Sequence, residues 1–305
     1  MRIEQIKQIV KQYQNGTSAP LGIAFKDLKT GTTVLAHADE PFPTASAYKI
    51  YILAELYRKA YAGECSLNDR YPLTYAVKSI GSGVLEQLDA GLNLTLKDYA
   101  TLMMIISDNT ATDFLFNFLG RENIKHNVID YLGLSQTKCD WGCNKLIDVY
   151  YGMNGRNFQQ LWEDNGGRAP SYHNSKWYQC ITDENDQTAP CEAMKMLELL
   201  YRGEWVNREA SEGMLNIMKQ CQTNSRIPHL LPPGIVVAHK TGSLDKLNVD
   251  IGIVYAGPAG DYILCMFYNG NLASKEDYDS NDRGRYGDNY LAQLSKEIYE
   301  AYIAE

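Results

Sequence analysis

Apolar residues return at helical spacing through the middle of the chain, most clearly from Leu96 to Ile106, Glu122 to Leu132 and Cys191 to Tyr201. The run from Ile50 to Tyr57 is also apolar with helical character, and Met1 to Val10 predicts an amphipathic helix. Strand-like segments lie towards the two ends. Leu21–Phe25 and Thr33–Leu35 precede the helices, and Ile235–Ala238, Asp250–Tyr255 and Asp261–Phe267 come after them. Ser66-Leu67-Asn68-Asp69 and Thr188-Ala189-Pro190 are predicted helix starts, and a last amphipathic helix is expected from about Asn289 to Tyr302. Strands at both ends with helices between them imply one sheet assembled from distant segments, carrying an inserted all-helical part. The expected organisation is a single domain over 1–305. Its α/β part comprises 1–64 plus 223–305, its helical part 65–222, with an aromatic-rich insertion at about 140–182. The active site is expected in the cleft between the two parts.

Composition narrows the partners. With 305 residues, 45% of them apolar, the chain has ample material for a core. A net charge of −8 and the lack of a basic patch exclude nucleic acid and anionic membrane as expected partners. The N-terminal pattern is not the charged cap and apolar core of a signal peptide, and the seven cysteines are odd in number without paired spacing. These features predict a cytoplasmic, monomeric protein, with secretion the alternative if a leader has been removed. Cys139 and Cys143 lack a second pair for zinc. In the acidic stretch starting at Asp277, Asp282 stands where a calcium loop needs glycine. No metal or other cofactor is therefore expected.

The candidate chemistry centres on Ser46-Ala47-Tyr48-Lys49. Residues three apart on a helix are neighbours, so the Lys49 amine can approach the Ser46 hydroxyl. A buried lysine beside other cations can lose its proton near neutral pH and act as the base that activates a serine. The first turn of a helix also offers unpaired N–H groups to an oxyanion. The same Ser-x-x-Lys spacing recurs at Ser135/Lys138 and Ser243/Lys246, so alone it decides nothing. It gains weight from two later motifs in a fixed order, Ser107-Asp108-Asn109 and then Lys240-Thr241-Gly242. An earlier Lys29-Thr30-Gly31 reads as a hairpin turn.

In motif order and in the wording around the motifs, the chain resembles the penicillin-recognising serine hydrolases, most closely the class A β-lactamase-like group. The likeness runs from about Leu21 to Tyr268 and includes Glu40-Pro41-Phe42-Pro43, Gly81-Ser82-Gly83 and His239-Lys240-Thr241-Gly242-Ser243. It implies an α/β (α+β) fold: an antiparallel five-stranded sheet flanked by N- and C-terminal helices, with the helical subdomain inserted. It further implies Ser46 as nucleophile, Lys49 as the group taking its proton, and Ser107 passing a proton to the leaving atom. Asn109 would hold a substrate amide. Lys240 would sustain the positive field, Thr241 and Ser243 would grip a carboxylate, and Gly242 would admit the ligand to the backbone. The N–H groups of Ser46 and Ser243 would form the oxyanion hole. Arg226 reads as a surface arginine rather than a second carboxylate-binding cation, and His239 as structural.

The resemblance has one gap. Class A β-lactamases place a glutamate, with an asparagine four residues later, ahead of the helix that here starts near Pro190; the glutamate activates the deacylating water. Nothing here matches it. Between Asp140 and Asp183 lies instead a stretch rich in Tyr, Trp, Asn and Gly, in which Glu163 is the candidate base, with Asp183 and Glu184 near its end. Trp141, Trp162 and Trp177 either pack this excursion or form a lid. The expected activity is thus a Ser46 acyl-enzyme with a β-lactam, acyl-peptide or ester. The alternatives are a D-alanyl peptidase or esterase, or a binding protein that deacylates slowly.

Overall fold

A computed structural model describes residues 2–153, 160, 163–164, 166, 178–180, 182–183, 185–274 and 285–304. Helix α1 (Arg2–Asn15) leads into strands β1 (Leu21–Asp27) and β2 (Thr33–Ala36), joined by a turn in which Gly31 takes φ +75°. The short strand β3 (Phe42–Pro43) precedes α2 (Lys49–Tyr61). Strands β4 (Arg70–Pro72) and β5 (Asn93–Thr95) pair with each other and deliver the chain to α3 (Leu96–Ile105), α4 (Asn109–Leu119), α5 (Arg121–Ile124) and α6 (Cys143–Tyr151). After β6 (Gln187–Thr188) come α7 (Pro190–Arg202) and α8 (Arg208–Met218). The chain then returns to the sheet through β7 (Val236–Leu244), β8 (Leu247–Tyr255) and β9 (Asp261–Asn269), and ends in α9 (Arg285–Ile303).

The five long strands form one antiparallel sheet in the order β2-β1-β9-β8-β7. Its centre explains the unbroken apolar run of β9. Successive strand residues face opposite sides. Tyr262, Leu264, Met266 and Tyr268 therefore join the cluster beneath α1 and α9, while Ile263, Cys265 and Phe267 join the cluster beneath the other helices. Helix α2 is buried from Lys49 through Tyr57, as expected of a helix that is apolar all round.

One local expectation changes. Ser66-Leu67-Asn68-Asp69 starts no helix. Ser66 N donates to Asp69 Oδ2 and Asn68 N to Ser66 Oγ, the bonds of a helix cap, but here they close a single turn before β4. The capping box lies instead at Thr95 and Asp98, which bond each other's backbone N–H at 3.0 and 2.9 Å and start α3. Strand β7 runs to Leu244 and carries Lys240, Thr241 and Gly242 near its end along an edge of the sheet. The acidic stretch from Asp277 to Asp282, with Trp162, Trp177 and Glu184, lies outside the described residues. Among the described residues no helix is long and apolar enough to cross a membrane.

Candidate active site

Ser46 sits on a 3-10 turn, residues Ala45–Tyr48, that runs straight into α2. Ala45 takes φ +42°, a conformation rare for a residue with a Cβ, and the tight entry brings Ser46 to a cavity wall while Lys49 is fully buried. The expected Lys49–Ser46 hydrogen bond is not the one made. Lys49 Nζ donates to Ser107 O at 2.8 Å, Asn109 Oδ1 at 2.9 Å and Ser107 Oγ at 3.2 Å. These contacts fix the amine against the Ser107-Asp108-Asn109 turn.

Ser107 lies at the junction of α3 and α4 with φ +59°, and surrounding bonds hold this strained turn. Asp108 caps α4 by accepting from Ala111 N at 2.9 Å. Its other oxygen takes Val84 N and Leu85 N at 2.7 and 2.9 Å, tying down the Gly81-Ser82-Gly83 loop. A Cβ at Gly83, where φ is +114°, would stand 2.3 Å from that carboxylate. Asn109 Nδ2 donates to Ile80 O at 2.9 Å. From the sheet side, Lys240 Nζ donates to Ser107 Oγ at 3.1 Å and to Thr241 O at 2.8 Å. Two buried amines thus share one hydroxyl. Burial disfavours both charges, lowering Lys49, and with the added repulsion of Lys49 brings Lys240 down to about 7. Near neutral pH Lys240 can both accept and supply a proton.

Strand β7 is hydrogen-bonded to β8 on one side and packs its other edge against the Ser46 turn. A Cβ at Gly242 would fall 2.1 Å from Thr44 O and 3.2 Å from Ser46 N, so the approach needs glycine. Thr241 Oγ1 bonds Thr223 Oγ1 at 2.7 Å. Arg226 is not a surface arginine. It is 2% exposed and donates to Gly242 O at 2.9 Å, Val249 O at 2.6 Å, Ser243 Oγ at 2.5 Å and Asp288 Oδ1 at 2.6 Å. The carbonyls of two neighbouring strands draw it inward. His239 is buried and packed on Asp250.

The cavity, about 330 Å³, brings together Ser46, Asn109 and Ser243 with an apolar wall that includes Ile80, Tyr150 and Tyr151. The wall also holds Cys143, which by sequence came into view only as a zinc ligand. Its Sγ donates to Asn109 Oδ1 at 3.3 Å and lies 3.3 Å from Tyr48 Oη. Burial pushes this thiol up, against the pull of Lys49. Asp113 fixes it there. Its carboxylate accepts from Cys143 N at 2.5 Å and Asn144 N at 2.9 Å, meeting the free N–H groups at the start of α6. Glu163 and Asp183 are exposed, and Asp183 pairs with Lys138 at 3.0 Å; neither lines the cavity. Among the described lining residues the carboxyl is Asp186. Burial raises it well above its ordinary value, and one oxygen accepts from Asp140 N and Trp141 N. Trp141 itself packs on the excursion, its Nε1 donating to Asp183 O at 3.1 Å.

A five-stranded sheet and inserted helices bring Ser-x-x-Lys, Ser-Asp-Asn and Lys-Thr-Gly into contact beside one cavity, which is the motif arrangement of the penicillin-recognising serine hydrolases. Comparison with known proteins agrees: the model of the β-lactamase enzyme family matches residues 2–302. The chain belongs to that family. It is 27% identical over 139 residues to β-lactamase CARB-4 of Pseudomonas aeruginosa, a match spanning 46% of this chain and about half (48%) of that relative. To β-lactamase 3 of Bacillus cereus it is 25% identical, over 93% of this chain and 77% of the relative. The crystal structure of a β-lactamase from Sphaerobacter thermophilus superposes with a TM-score of 0.76 at 26% identity, covering 98% of this chain and 97% of that one.

Proposed function

We propose that the protein is a β-lactamase-type serine hydrolase that is acylated at Ser46 by β-lactams or related amides and esters. The observation that carries this reading is the Ser107 hydroxyl held between Lys49 and Lys240 beside the Ser46 cavity. Ser46 Oγ attacks the carbonyl carbon and its proton passes to Lys49, whose neutral form burial favours. Ser107 returns a proton to the leaving nitrogen or oxygen. The N–H groups of Ser46 and Ser243 receive the oxyanion. Asn109 orients the substrate amide, and Thr241, Ser243 and the Lys240 cation hold its carboxylate. The ligand is a small molecule.

Deacylation is the slower half on this reading. Beside Lys49 and Asn109 stands the thiol of Cys143, which burial keeps from acting as a base for water, and the Asp186 carboxyl on the cavity wall is already bonded by Asp140 N and Trp141 N. That favours the slowly deacylating alternative over rapid turnover. Intact mass spectrometry after incubation with a penicillin tests the assignment: one stable adduct on the wild type and none on Ser46→Ala is expected. An adduct that survives Ser46→Ala would refute it. Sustained hydrolysis would make Asp186, the carboxyl on the cavity wall, the first acid to replace.

A further inference from the structure

A second cavity, about 430 Å³, borders β7 and is lined by Lys219, Cys221, Asn224, His229, His239 and neighbouring residues. His239 is 1% exposed, and each of its ring nitrogens faces an acceptor, Nδ1 at 2.9 Å from Asp250 Oδ1 and Nε2 at 3.1 Å from Asn224 Oδ1. Both contacts suit a ring that carries a proton on each nitrogen. Burial opposes that charge, but Asp250 outweighs it and holds His239 up to about 10. The same ring faces the Cys221 thiol, which is brought down to about 7: burial works against the thiolate, and His239 and then Lys240 outweigh it. Burial pushes the other six cysteines up instead. Cys221 Sγ lies 3.2 Å from Thr223 Oγ1, which bonds Thr241 Oγ1 in the Lys-Thr-Gly motif at 2.7 Å.

The geometry points to Cys221 as a modification site: its thiolate, paired with His239 in a cavity bordered by Lys219 and His229, attacks small anionic disulfides, and the mixed disulfide weakens substrate binding through Thr223 and Thr241. In the step, the Cys221 sulfur bonds to one sulfur of the disulfide, the disulfide's own S–S bond breaks, and the second sulfur leaves as a thiolate. No other oxidant is consumed. The effect on binding rests on the role given above to Thr241; the reactivity does not.

The probe is 5,5′-dithiobis(2-nitrobenzoate), a dianionic disulfide that releases a coloured thiolate, applied to the folded full chain between pH 5.5 and 9. One equivalent should react at least tenfold faster than the rest, with a midpoint near pH 7, and peptide mapping should find it on Cys221. Cys221→Ser should lose that equivalent, and His239→Gln should move the midpoint up by more than one pH unit. A fast equivalent on another cysteine, or a Cys221 that reacts no faster than the others, overturns the site, whatever the enzyme's activity. For the coupling, labelling and Thr223→Val should each raise KM for a carboxylate-bearing substrate about fivefold to tenfold with little change in kcat. An unchanged KM in the labelled protein overturns the coupling.

Discussion

Replacing Lys240 by methionine removes a fully buried amine while keeping an unbranched chain of similar length. Burial, reinforced by Lys49, lowers this group from 10.5 to about 7. At about 1.36 kcal/mol per pH unit, holding the charged form in the folded protein costs about 5 kcal/mol. That cost is present in full below pH 7, where folded and unfolded chains both carry the proton. As pH rises from 7 towards 10.5, only the unfolded chain still binds it, so raising the pH increasingly disfavours unfolding and the cost fades. Wild-type stability should therefore gain on Lys240→Met by about 2 kcal/mol between pH 7 and 9. At pH 6 the variant forfeits the bonds to Ser107 Oγ and Thr241 O, about 1 kcal/mol each, which offsets only part of what removing the charge gains. It should exceed the wild type there by about 3 kcal/mol and lose that advantage by about pH 9. Urea unfolding of both proteins under reducing conditions at pH 6, 7.5 and 9 measures the difference. A difference independent of pH would refute the claim that Lys240 is a buried amine titrating near neutrality.

Two further changes probe the site. Gly242→Ala forces a Cβ to within 2.1 Å of Thr44 O, which must push β7 off the Ser46 turn; acylation by a penicillin should fall at least a hundredfold, while far-ultraviolet circular dichroism stays native. Cys143→Glu places a carboxylate beside Lys49 and Asn109, and its deacylation rate, monitored by loss of the adduct mass, should rise at least tenfold over the wild type. An adduct equally long-lived in that variant would remove Cys143 from the account.

The parts legible in the sequence were those with local signatures. Short apolar segments marked the strands, including the unbroken run of the central β9. Three short motifs in a fixed order marked Ser46, Lys49, Ser107, Asn109, Lys240 and Thr241, because each is placed by the turn or strand end on which it sits. What escaped was set by distant partners. Nothing local distinguishes Arg226 from a surface arginine; the Gly242 and Val249 carbonyls that bury it arrive on strands later in the chain. Cys143 faces Lys49 only because Asp113, thirty residues earlier, holds the start of α6. The Ser66–Asp69 hydrogen bonds suit a helix cap and an isolated turn equally, and pairing between β4 and β5 decides for the turn.

The most direct test of the account mixes the protein with a chromogenic cephalosporin in tenfold excess, tracks ring opening from milliseconds to hours, and maps the adduct by peptide mass. A burst of one equivalent, then slow turnover, with the acyl group on the peptide containing Ser46, is the predicted result. Ring opening without a burst that persists in Ser46→Ala, or an acyl group on any other residue, would contradict it.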